Sequence, residues 1–126
     1  MKTLVPDHKK KLTKQSVFDI VWKRAKIKKQ ATILKNSRCV YRTNNKKNCC
    51  FIGALIPDSK YKKEMEEVGG FWTILYDLRE IFAFDTKNNH VFFADLQKIH
   101  DANEPSQWEH MLKLFAEEHK LIVPKN

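Results

Sequence analysis

Apolar residues recur at helical spacing along most of this chain, and the intervals between them are short. Val17, Ile20, Val21 and Arg24 follow one face, with Phe18, Trp22 and Ala25 widening it. Thr13, whose hydroxyl can accept a free first-turn amide, marks the start. This pattern predicts a helix over about 14–29 with Lys23, Lys26, Lys28 and Lys29 on its outer side. Tyr61, Met65 and Val68 with the pairs Lys62–Glu66 and Lys63–Glu67 predict a short helix ended by Gly69-Gly70. Phe71, Ile74, Leu75, Leu78, Ile81 and Phe82 carry the cleanest helical period in the chain. Val91-Phe92-Phe93 would suit a strand, but Phe92, Leu96 and Ile99 favour a helix from His90 to Asp101 capped by Asn89. Trp108, Leu112 and Phe115 define a last helix with Pro105 near its start, and Leu121-Ile122-Val123-Pro124 is a tail able to fold back on it.

Between the first and second helices the pattern changes. Arg38-Cys39-Val40-Tyr41-Arg42-Thr43 is rich in strand formers, Asn44 to Asn48 is turn chemistry, and Cys49 to Ile56 is a second apolar run. Together they predict a β-hairpin, with Gly53 marking a bulge or a close backbone contact. A lone hairpin is marginal in water and needs cover by helices. The expected fold is thus α+β and mainly helical: about five helices packed on a β-hairpin, in a single domain over residues 12–126. Residues 1–11, which include His8-Lys9-Lys10-Lys11, are expected to form a flexible basic arm.

Composition narrows the class. A chain of 126 residues, 42 % hydrophobic, is one domain able to bury a core and is not a disordered polymer. No apolar run nears the roughly 20 residues of a membrane span, and the first residues lack a secretory signal. Three cysteines, two of them adjacent, make a poor disulfide framework and suit a reducing cytoplasm. Charge is divided: residues 1–63 hold 18 bases and three acids, a net of +15, while residues 64–126 hold six bases and twelve acids, a net of −6. A basic front of this kind attracts phosphate or an acidic partner.

Catalytic signatures are absent. There is no Walker loop, no G-x-G-x-x-G and no H-E-x-x-H, and three glycines are too few for a phosphate-cradling loop. Cys39, Cys49 and Cys50 with one histidine could offer zinc its four ligands, but adjacent strand residues point to opposite faces, so buried thiols fit better and no cofactor is expected. A Cys nucleophile would need a His from elsewhere in the fold. His100-Asp101 could orient an imidazole for acid–base work, against a helix-end role for both, and forms a secondary candidate site with Trp108. The main candidate is a phosphate-binding surface. Tyr41 lies between Arg38 and Arg42, Lys46 and Lys47 follow in the turn, and Lys23, Lys26 and Lys29 widen the field; bases interleaved with an aromatic suit phosphate contacts plus stacking.

Several spaced motifs run from Leu12 to about Leu121: Cys39-x-Tyr41-Arg42, Cys50-x-x-Gly53-x-Leu55-Ile56-Pro57-Asp58-x-x-Tyr61, Leu96-Gln97-x-x-His100-Asp101, and Trp108. In them the chain resembles a group of small bacteriophage and bacterial proteins of unsettled function. Cys50-Phe51-Ile52-Gly53-Ala54-Leu55 is also similar to an element of phage sponge proteins that sequester nucleotide immune signals. The resemblance implies a phage-type source and a shared fold.

The expected function is that of a non-enzymatic, phage-type binding protein engaging nucleic acid or a nucleotide through its basic front. One rival is a protein-interaction module or inhibitor of an acidic host protein. A second is a small hydrolase using a Cys or His100. No membrane partner is expected, and homo-oligomerisation is left open.

Overall fold

The computed structural model describes residues 4–27, 32–33, 38–42, 48–67 and 71–125. Among these are four α-helices, α1 (Lys14–Ala25), α2 (Trp72–Asp77), α3 (His90–Ala102) and α4 (Trp108–His119), linked by short 3-10 turns. Strand pairing among the described residues is two residues deep: β1 (Thr32–Ile33) runs antiparallel to β2 (Arg38–Cys39), Thr32 opposite Cys39 and Ile33 opposite Arg38. The expected α+β class is therefore corrected to a mainly helical fold.

The hairpin is where the expectation fails. Cys49–Ile56 is not a strand: its middle is a 3-10 turn over Gly53–Leu55, and its side chains are buried from end to end. Of the turn expected over Asn44–Asn48, residues 44–47 lie outside the described residues. A strand needs a neighbour for its rows of backbone groups. This segment is instead enclosed by helices, and it bonds to itself: Ala54 N to Cys50 O (2.9 Å), Leu55 N to Ile52 O (3.0 Å) and Ile56 N to Gly53 O (3.1 Å). The close backbone contact expected at Gly53 is present, because a Cβ there would lie 2.2 Å from the Tyr41 carbonyl oxygen.

The helices follow from their patterns, with changes at their ends. Thr13 caps α1 as expected, its hydroxyl accepting from Ser16 N at 3.1 Å. The helix buries Val17, Phe18, Val21, Trp22 and Ala25 and ends at Ala25, four residues before the predicted end; residues 28 and 29 lie outside the described ones. The helix predicted over Phe71–Phe82 is cut short. Leu12 N donates to Ile81 O (2.8 Å) and Ala83 N to Leu12 O (2.7 Å), a parallel bridge that draws residues 81–83 out of helical register. Of the short helix expected from Tyr61 to Gly70, Lys63–Glu67 forms a 3-10 turn, and residues 68–70 lie outside the described ones.

The cap expected from Asn89 is not formed, and Asp85 instead braces the 3-10 turn Lys87–Asn89 that precedes α3. Its carboxylate accepts from Lys87 N (2.9 Å) and Asn88 Nδ2 (2.6 Å), while the Asn89 side chain makes no cap. Lys120 ends α4 in the left-handed conformation (φ 57°). The tail does fold back: Ile122 N donates to Gln15 Oε1 (2.9 Å) and Gln15 Nε2 to Ile122 O (2.7 Å).

α1, α3 and α4 pack together around Phe51, Ile52 and Leu55, and Trp108, Phe93, Leu96 and Leu112 complete the main core. A smaller cluster of Ile56, Ile74 and Leu78 lies against Tyr41, Tyr61 and Met65. The segment expected as a flexible arm is fastened from Leu4 onward. Leu4 N and Val5 N donate to the Asp58 carboxylate (3.0 and 3.1 Å), Val5 is buried, and Asp58 N donates back to Val5 O (2.8 Å).

Adding a methyl at Gly53 must push the Tyr41 backbone away, in a core with no slack. Gly53→Ala is expected to cost about 1–3 kcal/mol or more, measured as a lower urea midpoint at unchanged m-value.

Candidate functional site

The sequence places its ligand-binding arginines where the fold needs them for another purpose. Arg42 is 6 % exposed. Its Nη2 donates to Ile56 O (2.7 Å), its Nη1 contacts Asp58 Oδ1 (2.8 Å), and its guanidinium lies 4.7 Å over the Tyr61 ring. Glu66 holds the neighbouring backbone, accepting from Tyr41 N (3.0 Å), Arg42 N (2.9 Å) and Tyr61 OH (2.7 Å). Burial pushes the Asp58 carboxyl up, but the amides of Val5 and Leu4 and the Arg42 guanidinium outweigh it and hold it below the usual carboxylate range. Burial and the Glu66 carboxylate both push the Tyr61 hydroxyl up, so it stays a donor. Arg42 is therefore bound into the fold, and the half-buried Tyr41 side chain packs against both core clusters. Arg24 is likewise buried, with Nε on the Cys49 carbonyl.

The remaining expected ligands scatter. Arg38 lies in β2 opposite Ile33. Lys29, Lys46 and Lys47 lie outside the described residues. Lys26 is paired with Glu109 (3.1 Å) and sits 4.9 Å over Trp22, and Lys23 is exposed on α1.

His100, Asp101 and Trp108 do come together, as a core cluster. The imidazole stacks on Trp108 and meets Phe51 edge-on, each at 5.0 Å. His100 Nδ1 contacts Asp101 Oδ1 (2.9 Å), which also accepts from Gln97 Nε2 (3.0 Å), and Gln97 Oε1 accepts from Ile52 N (3.0 Å). The carboxylate accepts, so the proton of neutral His100 sits on Nδ1. Burial lowers the His100 pKa, the Asp101 contact opposes it, and Arg24 reinforces it. The 2.9 Å contact alone would suggest an ion pair, but full burial of the ring dominates and the imidazole is neutral at pH 7. This cluster joins the Leu96–Asp101 motif to the Cys50–Leu55 motif through Gln97 and Phe51, which gives both motifs a structural role.

The Cys49 and Cys50 thiols are buried too. Burial pushes Cys49 up to about 11 against the lowering by Arg24, so its thiol is held protonated at neutral pH. Among the described residues, no three His, Cys, Asp or Glu side chains are gathered to hold a metal, and no helix is long and apolar enough to cross a membrane.

Among the surface grooves, one gathers lysines and another gathers aromatic rings. One, of about 390 Å³, lies where the fastened N-terminal segment meets the turn after Pro57, and Lys9, Lys10, Lys11 and Lys60 line it. His8 anchors its floor by donating from Nε2 to Leu55 O (3.0 Å). Asp7 and Glu80 share the rim, and Asp7 accepts from Ser59 Oγ. Among the described residues none of the four lysines is ion-paired. The second groove, of about 670 Å³, runs between α2 and the start of α3 and is lined by Trp72, Leu75, Tyr76, Thr86, Lys87 and His90. The run Lys9-Lys10-Lys11 was visible in the sequence, but not that Lys60 would meet it. Trp72 and Tyr76, four residues apart and off the Ile74–Leu75–Leu78 stripe, were the missed signal for the second groove.

Two outcomes follow. Arg42→Met strands the Ile56 carbonyl and should cost about 1–3 kcal/mol in a urea melt. His100, with its pKa lowered in the folded state, stabilises fully above its ordinary 6.5 and progressively less as pH falls below it, because the unfolded chain then binds the proton more readily. The melting temperature should drop between about pH 6.5 and 5, and His100→Gln should flatten that part of the profile. Compared with known proteins, the chain matches no family model, no curated protein and no solved structure.

Proposed function

We propose that this chain is a non-enzymatic binding protein for a phosphate-bearing ligand, nucleic acid or nucleotide, and that the ligand enters the groove of Lys9, Lys10, Lys11 and Lys60. The observation that carries this reading is the contrast between two sets of cations. The buried arginines are spent on the protein's own carbonyls and on Asp58, whereas these four lysines are exposed, unpaired among the described residues, and gathered around one depression. Lysine suits such a place: its ammonium is a compact, hydrated charge that finds phosphate oxygens without fixed geometry. Anchoring matters as much. Leu4, Val5 and His8 tie the segment on one side and Leu12 on the other, so the lysines between them lose little freedom on binding. The four lysines outnumber the two acids on the rim, and the basic first half of the chain supplies a long-range field toward a polyanion. A catalytic reading has less behind it, because the Cys49 thiol is protonated and His100 is enclosed.

Replacing Lys9, Lys10 and Lys11 together by Ala should weaken oligonucleotide binding and reduce the magnitude of its log–log salt slope by about 2. Arg42→Met should leave the slope unchanged at a temperature where it is folded. An unchanged slope in the triple variant would remove the groove from the site.

A further inference from the structure

We infer that the groove between α2 and α3 stacks a nucleobase, and that the ligand is therefore single-stranded nucleic acid. This rests on the phosphate reading above and adds to it the part of the ligand that is not phosphate. Trp72 is 47 % exposed and Tyr76 is 61 % exposed, while Ile74 and Leu75 on the same helix are buried. The two aromatics are therefore not needed for the core, and at i and i+4 they lie along one face of α2.

The groove is shaped and braced. Phe71 backs Trp72 with ring centroids 4.4 Å apart, and His90 meets Trp72 edge-on at 5.1 Å and 89°. Across Tyr76 lies the Arg79 guanidinium, 4.2 Å from the ring centroid and held by its Nη1 bond to Tyr76 O (2.8 Å). Aromatic walls accept either a planar ring or a quaternary ammonium. Charge decides between them: Lys87 lines the groove, Arg79 flanks it, and no acid among the described residues lines it. That arrangement repels a cation and favours a ring attached to an anion, which is what a nucleotide is.

Position agrees with the same ligand. Tyr76 belongs to this groove, Glu80 and Ile81 to the lysine groove, and Arg79 stands between them in the chain. Four residues bound the Tyr76-to-Glu80 Cα distance at about 14 Å, within the reach of a short strand. A duplex would keep its bases stacked inside and offer the indole nothing, so the preference is for single strands.

The test compares a short oligothymidylate with an abasic deoxyribose-phosphate oligomer of equal length and charge. Trp22 and Trp108 are buried, so a change in tryptophan emission on binding reports Trp72. The oligothymidylate should quench the emission and bind about tenfold tighter than the abasic oligomer. Trp72→Leu should abolish that preference while leaving abasic binding and its salt slope unchanged, and Trp72→Phe should restore part of it. Equal affinity for the two oligomers with unchanged emission would overturn the stacking site and leave the lysine groove standing. Binding of neither oligomer at low salt would overturn the phosphate reading and this one together. A base preference that survives loss of Lys9, Lys10 and Lys11 with an unchanged salt slope would keep the stacking site and overturn the lysine groove alone.

Discussion

A wholly buried stretch of backbone with no strand partner is a demanding thing to fold around, and residues 49–57 are such a stretch. Every peptide group there must find a partner or carry its full desolvation cost. Three amides are satisfied within the turn. Much of the rest falls to side chains brought in from distant parts of the chain: Arg24 on Cys49 O, Gln97 on Ile52 N, His8 on Leu55 O and Arg42 on Ile56 O. Those four residues come from α1, α3, the N-terminal segment and the stretch after β2. The parts of the molecule meet where they do because this one segment needs them.

That requirement also explains how the positive charge is divided. A guanidinium can place several donors in fixed directions and tolerates burial better than an ammonium. Arg24 and Arg42 are accordingly inside, with aromatic faces beside them at Trp108 and Tyr61. No lysine among the described residues is buried. The lysine groove sits directly over the buried turn, since His8 both precedes Lys9 and bonds to Leu55 O. The surface proposed to meet a ligand is thus anchored to the most constrained part of the interior. Asp58 closes the circuit by holding Arg42 on one side and the amides of Leu4 and Val5 on the other.

Legibility in the sequence varied with how local the governing force was. The helices were readable where one apolar face had a solvated opposite, as in α1, α3 and α4. The cap at Thr13, the close approach at Gly53 and the returning tail were readable too. The end of α2 was not, because the Leu12–Phe82 bridge that stops it joins residues 70 apart. Arg42 could not be told from a phosphate ligand, since a buried arginine on a carbonyl and an exposed one on a phosphate share one local pattern. Trp72 and Tyr76 blended into the helical period around them, and only their exposure set them apart.

By itself the sequence determined the apolar faces of α1, α3 and α4, the Thr13 cap and the imbalance of charge between the two halves, because each depends on residues close to one another or on composition alone. Tertiary structure alone decided that Cys49–Ile56 is a buried turn and not a strand. An apolar run of strand formers is compatible with either, and the choice belongs to whatever satisfies its backbone. Here that was the turn's own carbonyls and four distant polar side chains, with no partner strand among the described residues.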